Sequence, residues 1–197
     1  LRDISLLSNI PNFRIFHPYN EIETHQILSH CLGSKEKNNC AIRLSIGPLP
    51  KLSPELPFKF KFKNGIGSQL KKGKNFIIFT YGQTMINEAY KASKILKKKK
   101  IELEIINMSC LNHFNVKWFK EKIKNFRNIF FLDDHNFNGG MSDLLISFLN
   151  ENCLLKNKII RKFGFKDFPA CGTYDEVLGF HKLDSLSIAQ KIAQNKK

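Results

Sequence analysis

Downstream of residue 74 the chain switches regularly between two hydrophobic periods. "NFIIFTYG" (75–82) is a nearly unbroken apolar run closed by a glycine, which predicts a buried strand. Residues 83–97 then place Met85, Ala89, Ala92 and Leu96 on one helical face. "IELEIINM" (101–108) alternates and predicts a strand exposed on one side. "VKWFKEKIKNF" (116–126) reads as a short helix, "NIFFLDD" (128–134) as a second buried strand and "MSDLLISFLNEN" (141–152) as a helix. "KIIRKFG" (158–164) is a further strand and "LDSLSIAQKIAQ" (183–194) the closing helix. Strand and helix alternate throughout. That order predicts an α/β fold: a mostly parallel open sheet with helices on both faces.

The first 46 residues carry the same kind of elements in another order. "DISLLSNI" (3–10) is a helical turn or two, capped by Asp3. "FRIF" (13–16) is a short strand that Pro18 stops. Asn20 can cap a helix over "EIETHQILSHCL" (21–32), and Glu23 stands three residues on, at capping-box spacing. "CAIRLSI" (40–46) is the next strand. From Gly47 to Gly73 the texture changes, with four prolines in the first eleven residues and glycines late. No helix can persist there, although "FKFKF" (58–62) alternates like a short edge strand. The division expected is a first domain portion over 1–50, a linker over 51–72 and a second domain over 73–197. No internal repeat is visible.

Composition adjusts this picture only slightly. The chain has 197 residues and 42% hydrophobic content, enough for one good core or two small ones. No apolar run approaches the roughly 20 residues of a membrane span, and no secretory leader is seen, so no membrane partner is expected and the reading is cytoplasmic. The chain opens "LRDISLL" without a Met and in mid-element, which reads as a fragment or processed product. A net charge of +15 raises nucleic-acid binding. Only 5 of the 32 basic residues are Arg, however, and apart from Lys97–Lys100 the lysines are scattered. Base readers and phosphate clamps favour Arg forks, so no nucleic-acid partner is expected. The five cysteines are widely spaced and include no C-x-x-C pair. They read as buried thiols in a reducing compartment, and Cys110-x-x-His113 alone closes no metal site.

Three strand-end corners carry chemistry-bearing residues. In open parallel sheets ligands gather at the carboxyl ends of strands. Asp133, Asp134 and His135 stand at such an end, followed by Gly139 and Gly140. Ser142 can cap the next helix, whose open N–H groups suit an anion. A strand-to-helix turn also needs polar residues and glycines for purely structural reasons. "TYGQTM" (80–85) is a similar corner without a phosphate-loop motif. "HPYNEIE" (17–23) is the third, and His17 or Asn20 there could face a cleft.

Taken together, these stretches resemble the transketolase family. "DISLLSNIPNFRIFHPYNEIET" is similar to the end of that family's pyrimidine-binding domain, through Leu6 to Asn12 and Pro18 to Glu23. "GIGSQLKKGKNFIIFTYGQTMINEAYKASKILKKKKIELEIINM" resembles the opening of its C-terminal domain, and "IFFLDDHNFNGGMSDLL" its acidic-His-Gly-Gly corner. The ending from Phe163 to Ile192 is similar to the family's close. The resemblance implies a partial pyrimidine-domain remnant followed by a complete transketolase-type C-terminal domain. It implies a transferase that moves a two-carbon ketol unit between sugars with thiamine diphosphate and Mg²⁺ in the complete enzyme. The same superfamily holds 1-deoxyxylulose-5-phosphate synthase and the beta subunits of 2-oxo acid dehydrogenases, and a non-catalytic module with this fold stays open as well.

The resemblance also implies what to expect elsewhere than in this chain. No "GDG" metal motif occurs here, and the Glu that activates the cofactor belongs to a segment upstream of Leu1. The chain alone is therefore expected to bind no cofactor or metal and to hold no catalytic residue. It needs a homodimer mate or a partner subunit that carries the pyrophosphate-binding domain. Asn20 stands where the family has a substrate-facing Asp, and Ile46 where it has the Arg that holds a sugar phosphate. Asn20 and His17 are the substrate-facing candidates. Asp134, His135, Gly139 and Gly140 are expected to form a structural corner near a subunit contact. Whether the sugar is phosphorylated stays open.

Overall fold

The structure is a computed structural model and describes residues 2–33, 39–47, 49–57 and 61–195. The chain begins with helix α1 (Asp3–Leu7), strand β1 (Phe13–Phe16), helix α2 (Glu21–Gly33) and strand β2 (Asn39–Ile42). After the proline-rich stretch come β3 (Ser68–Lys71), β4 (Phe76–Thr80), α3 (Gln83–Lys98), β5 (Leu103–Asn107) and α4 (Val116–Ile123). Then follow β6 (Asn128–Asn136), α5 (Met141–Glu151), β7 (Ile159–Phe165), α6 (Tyr174–His181) and α7 (Ser185–Ala193).

The strands make two sheets. β1 and β2 pair in parallel, from Phe13 opposite Asn39 to Phe16 opposite Ile42. The larger sheet has the order β3-β5-β4-β6-β7, with β3 antiparallel and the rest parallel. Period-two geometry divides β4 between two cores. Phe76 and Ile78 pack with Met85, Ala89 and Leu96 of α3 and Ile188 and Ile192 of α7. Ile77 and Phe79 pack on the other face with Phe119 of α4 and Leu145 and Leu149 of α5. Phe79 stacks on Phe131 with ring centroids 5.6 Å apart. Sequence signals set the helix ends. Asn115 accepts from Trp118 N at 3.0 Å, Asp184 accepts from Leu186 and Ser187 N, and Thr173 with Glu176 makes a capping box.

Several expectations need correction. Asp3 lies inside α1, whose N-cap is Arg2. β3 forms within the stretch expected to be linker, and α6 has no counterpart among the expected helices. "FKFKF" falls largely outside the described residues; Lys61 and Phe62 belong to no strand. β5 is not exposed on one side but buried along its whole length. Glu104 shares the α4 side of the sheet with Ile106, and Lys122 of α4 meets its carboxylate at 2.7 Å. A polar position in an alternating strand is thus buried by an ion pair from the covering helix. The cysteines are corrected too: Cys110 is buried, but Cys40, Cys153 and Cys171 are exposed. No helix among the described residues is long and apolar enough to cross a membrane.

The small sheet docks over the carboxyl ends of the large one. β1 is flanked on one side by β2 and on the other by the segment after β5. Leu111 N donates to Ile15 O and His17 N to Ser109 O, both at 2.8 Å, around an antiparallel bridge between Phe16 and Cys110. Asn112 adds two bonds, accepting from Ile15 N at 3.0 Å and donating to Phe13 O at 2.8 Å. Ile4 and Ile15 enter the α4/α5 core, and Tyr19 enters the α3/α7 core. The N-terminal segment therefore plugs the sheet end where an open α/β fold usually binds ligands.

Candidate functional site

Two polar clusters, one half-buried and one buried, form where the segment meets the sheet. The first centres on Arg43, just after β2. Its Nε donates to Asp3 Oδ2 at 2.6 Å, Nη1 to Asp134 Oδ2 at 3.2 Å, and Nη2 to the Asp134 carbonyl at 3.0 Å. Nη1 also lies 3.0 Å from His17 Nδ1. A guanidinium only donates, so Nδ1 must accept, and the hydrogen of a neutral His17 is assigned to Nε2, which faces Ser45 Oγ at 3.3 Å. Burial, with Arg43 alongside, pushes the His17 pKa down to about 4, in keeping with that neutral ring. His17 is only 1% exposed and packs against Tyr81 at 5.4 Å. Burial works against the charge of Arg43, but Asp134, Tyr81 and Asp3 more than restore it.

The strand expected over residues 40–46 would put Arg43 and Ile46 on opposite faces, but β2 ends at Ile42 and both residues lie beyond it. The structure shows what Arg43 does there: its hydrogen bonds tie α1, β1 and the end of β6 together. Ile46 itself is 92% exposed, and Leu44 is exposed beside it.

The second cluster centres on Glu23 of α2, 1% exposed. Asn20 Oδ1 caps the helix by accepting from Glu23 N at 2.8 Å, as its position in the sequence suggests. Glu23 does not complete the capping box on Asn20. Its Oε2 accepts from Tyr19 N at 2.8 Å, one residue earlier. Asn107 Nδ2 donates to Oε1 at 2.8 Å and to Oε2 at 3.1 Å, and Ser109 Oγ donates to Oε1. Burial outweighs these donors and raises the Glu23 pKa to about 7. Asn107 and Ser109 are the residues that sequence reading misses. Their one signal is their place at the carboxyl end of an apolar strand.

The Asp-Asp-His corner resolves differently from an anion site. Asp133 is buried, and its carboxylate accepts from Ser142 N at 3.1 and 3.3 Å. It occupies the N-terminus of α5, where open N–H groups are expected to suit a ligand anion. Burial raises its pKa to about 6. Gly140, not Ser142, is the N-cap of α5; a Cβ on Gly140 would stand 2.4 Å from Asp133 Oδ2. Gly139 has φ +80°, and its missing Cβ leaves room for Ser5 of α1. Asp134 binds Arg43, and His135 is fully buried with Nε2 3.7 Å from Asp3 Oδ1. Burial lowers the His135 pKa, and its Nδ1 faces Asn136 O at 3.3 Å. Asp134, His135 and Gly139 thus meet the N-terminal segment of the same chain, while Gly140 packs within the corner against Asp133 and His135. His17 and Asn20 lie about the same joint, with Gly82 (φ +71°) leaving room for the His17 ring.

Among the described residues no three His, Cys, Asp or Glu side chains gather as metal ligands. The buried carboxylates of Glu23 and Asp133 are committed to chain N–H and O–H groups.

Comparison with known proteins accords with this architecture. Residues 65–188 match the model of "Transketolase, C-terminal domain". A protein of Methanocaldococcus jannaschii, provisionally named a transketolase C-terminal section, is 27% identical over 99% of this chain and 59% of its own length. 1-Deoxy-D-xylulose-5-phosphate synthase of Francisella philomiragia is also 27% identical, over 99% of this chain and 31% of its length. One of the subunits of apulose-4-phosphate transketolase from Actinobacillus succinogenes is 25% identical over 94% of this chain and 58% of its length. The chain thus spans between about a third and three-fifths of these relatives. Among solved structures, a split-gene transketolase in an inactive β4 tetramer aligns over 98% of this chain and 61% of its own. It has a TM-score of 0.83 and 22% identity, which shows a shared fold. With the family model covering most of the sheet and its helices, the chain belongs to the transketolase C-terminal domain family.

Proposed function

We propose that this chain is the C-terminal portion or subunit of a thiamine-diphosphate-dependent enzyme of the transketolase type. That enzyme transfers a two-carbon ketol unit between sugars in the cytoplasm, as a dimer or with a partner subunit. The observation that carries the reading is the family match over residues 65–188, continued upstream by a segment that docks on the same sheet. Relatives that match nearly the whole of this chain include a subunit of apulose-4-phosphate transketolase, which supports a separately encoded or fused partner. The partner or upstream portion supplies the pyrophosphate-binding domain, Mg²⁺ and the cofactor-activating Glu, since the buried carboxylates of Glu23 and Asp133 are committed to this chain's own N–H and O–H groups.

The chain's own part is to hold the pyrimidine-domain tail in register. Arg43 and Glu23 fix α1, β1 and α2 against the carboxyl ends of β5 and β6. Asn20 and His17 are the residues proposed to border the sugar. Ile46 supplies no fork for a phosphate, so a sugar held without an Arg clamp is the proposed substrate class.

The test is a ketol-transfer assay on the intact protein with its partner, thiamine diphosphate and Mg²⁺, comparing sugars with their phosphate esters. Transfer with unesterified sugars is the expected result, and no transfer with either class refutes the proposal. A second reading is favoured by the equal identity to a 1-deoxy-D-xylulose-5-phosphate synthase. Condensation of pyruvate with glyceraldehyde phosphate, without sugar-to-sugar transfer, would establish it instead.

A further inference from the structure

Three thiols converge on the outer side of the small sheet. Cys31 lies near the end of α2, Cys40 in β2, and Cys110 in the segment that bridges to β1. Cys110, Phe16 and Ile27 form a small apolar cluster against which Cys31 and Ile42 pack. Cys40 and Ile42 are two residues apart on β2, so their side chains leave the same face. That face is the one that meets Cys31. The Cys40 thiol stands near enough to Cys31 to help hold the Cys31 pKa up. The two cysteines come from separate elements, and neither is part of a disulfide.

We propose that Cys31 and Cys40 are a redox pair that closes into a reversible disulfide when the protein meets a peroxide or a small-molecule disulfide. The environment assigns the roles. Cys40 is exposed and is the point of entry. Burial, with Cys40 alongside, pushes the Cys31 thiol up to about 12, so it stays protonated and waits as the resolving thiol. Cys110 is buried, and burial holds it up at about 11, which leaves it out of the exchange.

With a peroxide, the Cys40 sulfur attacks one oxygen and the O–O bond breaks. This gives a sulfenic acid on Cys40 and one water. The Cys31 sulfur then attacks the Cys40 sulfur as its proton passes to the departing hydroxyl. An S–S bond forms, the S–O bond breaks, and a second water leaves. Two thiols are oxidised by two electrons and one peroxide is reduced. With oxidised glutathione, Cys40 first forms a mixed disulfide, and Cys31 then expels the second glutathione thiol. Such transient pairs are the kind of disulfide a reducing compartment tolerates. The bond would staple the end of α2 to β2, the part of the molecule with the thinnest core.

The experiment is mass spectrometry of the intact protein, as purified with any partner, after oxidised glutathione and again after hydrogen peroxide. Trypsin can cut at Lys35 and Lys37, which separates the two cysteines in sequence. The expected result is a tryptic pair joined through Cys31 and Cys40, lighter by two hydrogens and released by a reductant. In Cys31→Ser, oxidised glutathione should instead leave a stable adduct on Cys40. Wild-type protein that carries the adduct on Cys40 while Cys31 still alkylates overturns the proposal. So does a dominant link from either cysteine to Cys110, or an unmodified Cys40. The wild-type map decides the matter even where the variant folds poorly.

Discussion

The large sheet and the small one are held by different physics. β4, β5 and β6 are covered by helices on both faces, and their apolar side chains fill two cores. The small sheet has two strands and one long helix, a unit too small to stand alone in water. Leu28 and Leu32 on α2 are exposed, the latter by 80%, as are Leu6, Leu44 and Ile46. Its attachment depends on a few apolar plugs, on the backbone bridge from β1 to residues 109–112, and on Arg43 and Glu23. The difference teaches that damage to the large sheet should be global, and damage to the joint should uncouple one region from the other.

Hydrogen exchange of the intact protein, read region by region, can break or sharpen that contrast. The largest effect is expected for Phe79→Ala, which opens a cavity between β4, β6 and α4 and costs about 4 kcal/mol. Protection should fall across both sheets. Arg43→Ala leaves Asp134 and Asp3 without their shared cation and should cost about 3 kcal/mol. Here protection should fall in residues 2–46 while β4 and β6 keep theirs. A uniform loss in both regions would mean the joint is not separable.

A pH series gives the next effect. The folded pKa of Glu23, about 7, lies above the ordinary 4.5, so folding favours the neutral acid. Its stabilisation is complete below pH 4.5 and is lost as pH rises through 7, by roughly 3 kcal/mol at most. Asp133 acts in the same direction, through about 6. His17 acts in the opposite direction. Its pKa falls from 6.5 to about 4, so its stabilisation is present above 6.5 and is lost as pH falls through 4. Glu23→Gln should therefore gain on the wild type toward pH 8, and His17→Gln toward pH 4. Parallel pH profiles for the two variants would contradict the burial seen here. The smallest effect is expected for Leu32→Ser, within about 0.5 kcal/mol in this chain. A clear loss of partner binding by that variant would show that the exposed side of α2 is covered in the assembly.

The fold is largely legible in the sequence, because its periods are strong. Met85, Ala89, Ala92 and Leu96 mark α3, and the apolar runs mark β4 and β6. Asn20, Asn115 and Asp184 mark helix starts through side chains that bond their own backbone. β3 is not legible, since "SQLK" has almost no apolar signal and is a strand only because β5 offers an edge. Glu104 misleads for a related reason: its partner, Lys122, is supplied by another element.

The candidate site shows the same boundary more sharply. Local sequence determined the alternation of elements, the Asn20 helix cap and the corner at Asp133 to Gly140, because these depend on neighbours within a few residues. Only the tertiary structure decided that Arg43 binds Asp3, His17 and Asp134, or that Glu23 reaches past its own helix cap to Asn107 and Ser109. Those partners lie as far as 91 residues away along the chain. A charge records no partner in its own sequence context; desolvation at the joint selects the partner once both sheets are in place.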